Sequence, residues 1–246
     1  MEVYKLTVIT AVKGRRDCIL GLLDNIIEKC DFEYLEFIFS FTACETYSLE
    51  EFYKDINNII LLGANVKVLF PEKRGIYPAL NHAIVNCSTD YFTFLHSDDR
   101  FEALIDFEFI KMIAMNKKDV ITFDVVVNNI VTPPRVYKKT FPYADIGINH
   151  MATVFKTDFH KNFLYDESYQ SSSDWKTVIK MFEEGANFET INRPLVNFSL
   201  SGISNKKSIK VLCEDLKVIF LSKWSFKNSM LKLLRASKEI VGYVIF

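Results

Sequence analysis

The chain has 246 residues, 49% of them apolar, and a formal net charge of −1, so it can bury a full core as one large domain. Five cysteines, Cys18, Cys30, Cys44, Cys87 and Cys213, stand without C-x-x-C spacing, which excludes a zinc knuckle or a disulfide framework and points to a reducing compartment. No apolar run approaches the ~18 residues of a membrane span, and Met1 to Thr10 lacks the pattern of a signal peptide, so a cytoplasmic protein is expected.

Leu6 to Thr10 reads as a first strand. Arg15 to Lys29 follows as a helix with Ile19, Leu22, Leu23, Ile26 and Ile27 on one face. Leu35 to Phe39 is a second strand. Ser48 with Glu51 has capping-box spacing and opens a second helix, and Asn65 to Phe70 is a third strand. Ile76, Leu80, Ala83 and Ile84 recur at helical spacing, Cys87-Ser-Thr-Asp90 is a turn, and Tyr91 to Leu95 is an apolar run suited to an interior strand. This alternation predicts a doubly wound, mostly parallel α/β sheet.

Beyond it, Phe101 to Asn116 reads as helix, Val120 to Val127 as strand, and Val131 to Thr140, with Pro133-Pro134, as an edge or hairpin strand. Ser173 to Glu184 is a helix stopped by Gly185, and Phe188 to Ile191 and Leu195 to Leu200 are short strands. The acidic pair Asp98-Asp99 falls at the carboxyl end of the strand Tyr91 to Leu95. Ligands of open α/β sheets bind at such ends, and paired carboxylates there suit a divalent cation carrying a phosphorylated ligand. The same pair also suits plain capping of the next helix.

The segments Leu6-Thr-Val-Ile-Thr-Ala-Val12, Arg74-Gly-Ile-Tyr-Pro-Ala-Leu-Asn81, Phe94-Leu-His-Ser-Asp-Asp99, Asn149-His150, Ser173-Asp174-Trp175 and Ser201-Gly-Ile-Ser204, in this order, resemble glycosyltransferase family 2, in particular its bacterial polysaccharide and O-antigen branch. The resemblance implies a GT-A fold over residues 1–205, with a nucleotide-sugar-binding half to about residue 100 and an acceptor-binding half after it. It further implies metal-dependent, inverting transfer from a nucleotide-diphosphate sugar, a UDP-sugar by preference, with Mn²⁺ or Mg²⁺. On this likeness Asp99 holds the metal, with Asp98 turned to the metal or ribose. Asp174 is the catalytic base, and its alternative role is a helix cap. Thr10, Ala11 and Val12 form a loop cupping the base. Arg74, Gly75, Asn81 and Ser97 complete the donor pocket, and His150, Trp175 and Gly202 contact donor sugar or acceptor. Trp175 serves equally well as a core residue.

Two departures stand out. Phe39-Ser-Phe-Thr-Ala-Cys-Glu45 lacks the aspartate with which the family contacts the base, leaving Ser40 or Glu45 as substitutes, and Pro78 replaces an aspartate after Ile-Tyr. They motivate an alternative, a catalytically degenerate nucleotide-binding partner in a polysaccharide assembly complex. A nucleotidyltransferase is a further alternative, disfavoured because no Gly-rich basic loop follows the first strand. After Asn205 come nine Lys or Arg and three acidic residues, so the tail 206–246 carries +6 on a body of −7. Phe226, Met230, Leu233, Leu234, Ser237, Ile240 and Val241 recur at helical spacing in it. The tail therefore reads as a basic amphipathic helix, suited to peripheral contact with the inner membrane and a lipid-linked glycan acceptor, or to packing on the body or in a homodimer. Nucleic acid is not an expected partner.

Overall fold

The strands β1 (Leu6–Lys13), β2 (Leu35–Thr42) and β4 (Tyr91–Phe94) are buried on both faces, as parallel strands covered by helices must be. Their covers are α1 (Arg16–Lys29), α2 (Leu49–Leu61) and α3 (Ile76–Val85), and β3 (Asn65–Leu69) closes the edge. Together they make the expected β-α-β-α-β-α-β run, with β3, β2, β1 and β4 side by side and parallel. This computed structural model describes residues 5–134, 148–199 and 209–221.

The second half continues the same sheet in mixed sense. β4 pairs antiparallel with β8 (Thr153–Lys156), β8 with β6 (Val120–Val127), β6 parallel with β9 (Phe188–Asn197), and β9 antiparallel with β5 (Arg100–Phe101). The hairpin strand β7 (Ile130–Thr132) returns on β6 through Asn128 and Asn129, both at positive φ, the residue type that tolerates a primed two-residue turn. Helices α4 (Phe107–Asn116), α5 (Thr157–Lys161) and α6 (Ser173–Glu183) complete this half, and α7 (Ile209–Leu221) follows it.

Several elements differ from the sequence reading. The helix expected from Phe101 begins only at Phe107. Asp106 caps it by accepting the Phe109 N–H at 2.9 Å, because Arg100–Phe101 is drawn into the sheet as β5. The two short strands after Phe188 are one strand, whose register against β6 slips between Phe123 and Val125. Pro194 sits in that irregularity, where a strand proline is tolerated. The first strand is longer than expected and runs through Thr10, Ala11 and Val12 to Lys13. The capping box is as predicted: Ser48 Oγ accepts the Glu51 N–H at 3.2 Å, and Glu51 accepts the Ser48 N–H at 2.9 Å.

Candidate active site

The carboxyl ends of β1, β2 and β4 open toward one edge of the sheet. β1 stays paired with β2 as far as Lys13 but leaves β4 after Ile9, where the Leu95 N–H still bonds the Ile9 carbonyl at 3.0 Å. Into this gap comes the loop His96 to Asp99. Its backbone is held by Arg100, whose Nη1 donates to the Ser97 carbonyl at 3.0 Å and the Asp99 carbonyl at 2.7 Å, while Nη2 reaches the Cys18 carbonyl of α1 at 3.3 Å. Gly21 makes room for that guanidinium, since a Cβ there would stand 2.4 Å from Nη2.

Asp99 is buried, and Oδ1 accepts the Ser199 N–H at 2.9 Å, beyond the end of β9. Oδ2 is buried with no hydrogen-bond partner among the described residues. Burial pushes this carboxyl up to about 7; the Asp98 charge adds to the push, and the Ser199 N–H, His150 and Arg100 oppose it. Asp98 and Ser97 are half-buried. Among the described residues no group of three His, Cys, Asp or Glu side chains is gathered for a metal. A magnesium-like ion at phosphates needs only one or two carboxylates, the remaining ligands being phosphate and water. A carboxylate pair with one orphaned buried oxygen fits that limited donor role.

Asp174, at the second position of α6, is the other focus. Its Oδ2 lies 3.1 Å from His150 Nδ1, and its Oδ1 accepts from the Tyr77 hydroxyl at 3.1 Å. The two side chains remain 11% exposed for Asp174 and 20% for His150. Burial works to raise the Asp174 carboxyl, yet hydrogen bonding and charge from His150, with the Trp175 N–H and Tyr77 O–H, hold it below the ordinary value. His150 is presented by a 3-10 turn, His150–Ala152, which Asn149 caps by accepting the Met151 N–H at 2.9 Å. Its ring lies edge-on to Phe94 and to His96, with centroids at 5.7 and 5.5 Å. Burial, with His150's charge second, pushes His96 down to about 3 and keeps it neutral. His150 therefore acts electrostatically on both Asp99 and Asp174, which joins the two halves of the site.

The other expected site residues divide. Thr10 and Val12 are buried in β1, and Thr10 Oγ1 donates to the Leu95 carbonyl at 2.8 Å; the strand ends at Lys13, and Gly14 and Arg15 follow, both at positive φ. Ala11 is half-buried. Trp175 is 1% exposed, so it fills the core and offers no face to a sugar, which corrects its assignment as a contact. Asn81 is buried and grips the Tyr165 backbone from both sides, accepting its N–H at 2.8 Å and donating to its carbonyl at 2.9 Å. Arg74 and Gly75 are exposed. Gly75 precedes α3 at φ 141, a conformation that favours glycine, so Gly75 is fixed by backbone geometry. Gly202 and the rest of Ser201 to Ser204 lie outside the described residues.

The sequence alone does not single out Tyr77 or Arg100. Tyr77 stands inside the Gly-Ile-Tyr segment, but its partner is 97 positions away; Arg100 follows the acidic pair directly, a position at which a cation near carboxylates is a usable signal.

An α/β sheet with carboxylates gathered over the ends of its parallel strands is the GT-A architecture of sugar-transferring enzymes. The family model described as Glycosyl transferase family 2 matches residues 7–183, and the chain belongs to that family. It is similar to S. aureus TarS 1-349 in complex with UDP-GlcNAc, at 15% identity and a TM-score of 0.67, over 92% of this chain and 69% of that one. It is also similar to the mannosyltransferase PcManGT from Pyrobaculum calidifontis in complex with GDP-Man and Mn²⁺, at 15% identity and a TM-score of 0.63, over 95% and 68%. Against the longer S. aureus TarS structure, at 14% identity and a TM-score of 0.66, it covers 92% of its own length but 41% of that chain. No curated protein matches the sequence.

Proposed function

We propose that the protein is an inverting glycosyltransferase that moves a sugar from a nucleoside-diphosphate sugar to a glycan hydroxyl, with Asp174 as the base. The observation carrying this reading is the Asp174 carboxylate, fixed by Tyr77 and His150 and still 11% exposed. A hydroxyl attacks only as its proton is withdrawn, and a carboxylate held in its charged form is suited to take it. The acceptor oxygen bonds to the anomeric carbon, the bond from that carbon to the diphosphate breaks with its electron pair on the leaving oxygen, and the acceptor proton passes to Asp174.

Asp98, the more accessible of the pair, with Asp99 behind it, would hold Mn²⁺ or Mg²⁺, whose chemistry there is neutralisation of charge on the departing diphosphate. The likeness to TarS in complex with UDP-GlcNAc and to PcManGT in complex with GDP-Man and Mn²⁺ supports a nucleotide-sugar donor, and a UDP-sugar is the first choice to test. The excess of basic residues after Asn205 supports a lipid-linked acceptor met at a membrane surface. None of the described helices is long and apolar enough to cross a membrane.

The test begins with thermal shifts in UDP, GDP, dTDP and CMP with Mn²⁺, followed by release of nucleoside diphosphate from the matching donor sugars. Transfer is expected to fall about 10²- to 10⁴-fold in Asp174→Asn with nucleotide binding kept. Full activity in that variant removes the base assignment. Absence of metal-dependent release across all donors favours the non-catalytic partner, a reading motivated by the segment Phe39 to Glu45, which has no aspartate.

A further inference from the structure

The loop that leads into Asp174 is held from outside the family-matched region. Glu214 lies on α7, beyond residue 183 where the match ends, and is 8% exposed, although Cys213 beside it is exposed. Its Oε1 accepts the Gln170 N–H at 2.8 Å, and its Oε2 accepts the N–H groups of Ser171 at 2.9 Å and Ser172 at 3.3 Å. Asp215 adds a bond from the Ser172 hydroxyl at 2.6 Å.

These amides need a partner. Ser172 is the N-cap of α6 but makes no side-chain capping bond; Ser173 and Lys176 of the helix hold the chain further back, at Asp166, and leave the amides of Gln170 to Ser172 to Glu214. A carboxylate is a strong acceptor for several N–H groups and would be costly to bury without them. The Ser171 peptide is gripped from both ends: its N–H by Glu214 and its carbonyl by the Tyr77 hydroxyl, which also receives the Ser173 N–H at 3.1 Å. Tyr77 is the residue that bonds Asp174. The loop Gln170 to Ser172 therefore lies between two clamps, and Asp174 begins two residues after it.

We propose that Glu214 is a positioning residue for sugar transfer: through the backbone of Gln170 to Ser172 it sets the carboxylate of Asp174 against Tyr77 and His150. This rests on Asp174 being the base, and the experiment separates the two. Amide exchange of residues 170–172 and the His150 Nδ1–H resonance are followed by NMR on the full chain, in wild type and Glu214→Gln, beside kcat, donor KM, nucleotide Kd and Tm. The amide side chain puts an NH₂ where backbone N–H groups point, so the three amides should exchange about tenfold faster or more, the loss expected for one charge-assisted hydrogen bond. The His150 resonance should move, and kcat should fall about 100-fold, as for misplacement of a reacting group, with donor KM, nucleotide Kd and Tm close to wild type.

Unchanged exchange, or faster exchange with His150 and kcat unmoved, overturns the proposal. A fall in kcat that merely tracks a fall in Tm or a rise in Kd also overturns it. If wild type transfers no sugar from any donor, the enzymatic reading fails while exchange and the His150 resonance still decide whether Glu214 positions Asp174. If Glu214→Gln does not fold, Asp215→Asn, which weakens the contact at Ser172, replaces it: faster exchange at Ser172 with a shifted His150 resonance and lower kcat supports the proposal, and no change in them overturns it.

Discussion

Tyr77 and Asp174, 97 positions apart in the chain, meet with the phenol oxygen 3.1 Å from Oδ1 of the carboxylate. Burial, and then the Asp174 charge, push the phenol far above its ordinary pKa, so it remains a hydrogen-bond donor at every working pH. Its single proton serves two acceptors, the Ser171 carbonyl and Asp174, and its oxygen receives the Ser173 N–H. Tyr77→Phe should keep the fold and nucleotide affinity while lowering kcat by about tenfold to 100-fold, since the carboxylate loses one of the two side-chain bonds that fix it. Equal kcat in mutant and wild type, measured at saturating donor, would remove Tyr77 from the site.

His150 holds Asp174 below its ordinary pKa, so removing the imidazole should let burial raise it. The base works ionised. A lowered pKa keeps activity at acid pH, and a raised one loses activity earlier as pH falls. The acid limb of the kcat profile in His150→Ala is therefore expected at higher pH than in wild type, and a limb that stays in place would show that His150 does not govern Asp174.

Gly21 and Arg100 should couple. A methyl group at Gly21 displaces the guanidinium that holds the Ser97 and Asp99 carbonyls, while alanine favours the interior of α1, so Gly21→Ala should change stability by about 1 kcal/mol or less and weaken nucleotide binding. On an Arg100→Ala background the same change should stabilise by about 0.5–1 kcal/mol, the helix preference of alanine over glycine. A double-mutant cycle by urea unfolding reads this directly, and additive effects would refute the contact.

His160 is fully buried among Phe92, Phe155 and Tyr165, with ring centroids at 5.2, 4.8 and 5.4 Å, and neither ring nitrogen has a hydrogen-bond partner among the described residues. Burial pushes it down to about 3 from 6.5. Between these values the unfolded chain binds the extra proton, so this residue's contribution to stability falls as pH falls, by about 1.4 kcal/mol per pH unit. His160→Leu should remove that slope. Unfolding free energies at pH 7 and pH 5 should differ less in the variant than in wild type, and an unchanged difference would contradict the assignment.

The parallel half of the fold is legible in the sequence because local signals agree there: Ser48 and Glu51 cap α2, Ile19, Leu22, Leu23 and Ile26 face the core from α1, and Tyr91 to Phe94 is apolar throughout. Where they fail, tertiary pairing has overridden them. Arg100–Phe101 has no strand pattern of its own and is a strand because β9 offers it hydrogen bonds. Asp174 is marked by its motif, but the partners that fix it and its loop, Tyr77 and Glu214, are separated from it by folding distance that no spacing rule spans. Trp175 is ambiguous in sequence because one aromatic after an aspartate serves a core or a sugar equally well, and only its burial decides.

The sheet runs unbroken from β3 to β5, and the seam between the two halves, β4 against β8, is an ordinary antiparallel ladder pairing Tyr91 with Lys156, Phe92 with Phe155 and Thr93 with Val154. Such a seam is no hinge. Rocking one half on the other would break the main-chain bonds of that ladder, so the loops carrying Asp99 and Asp174 are better placed to move than the strands beneath them. The loops above the strand ends are therefore the parts to exchange in a search for altered specificity, with the sheet beneath them left untouched.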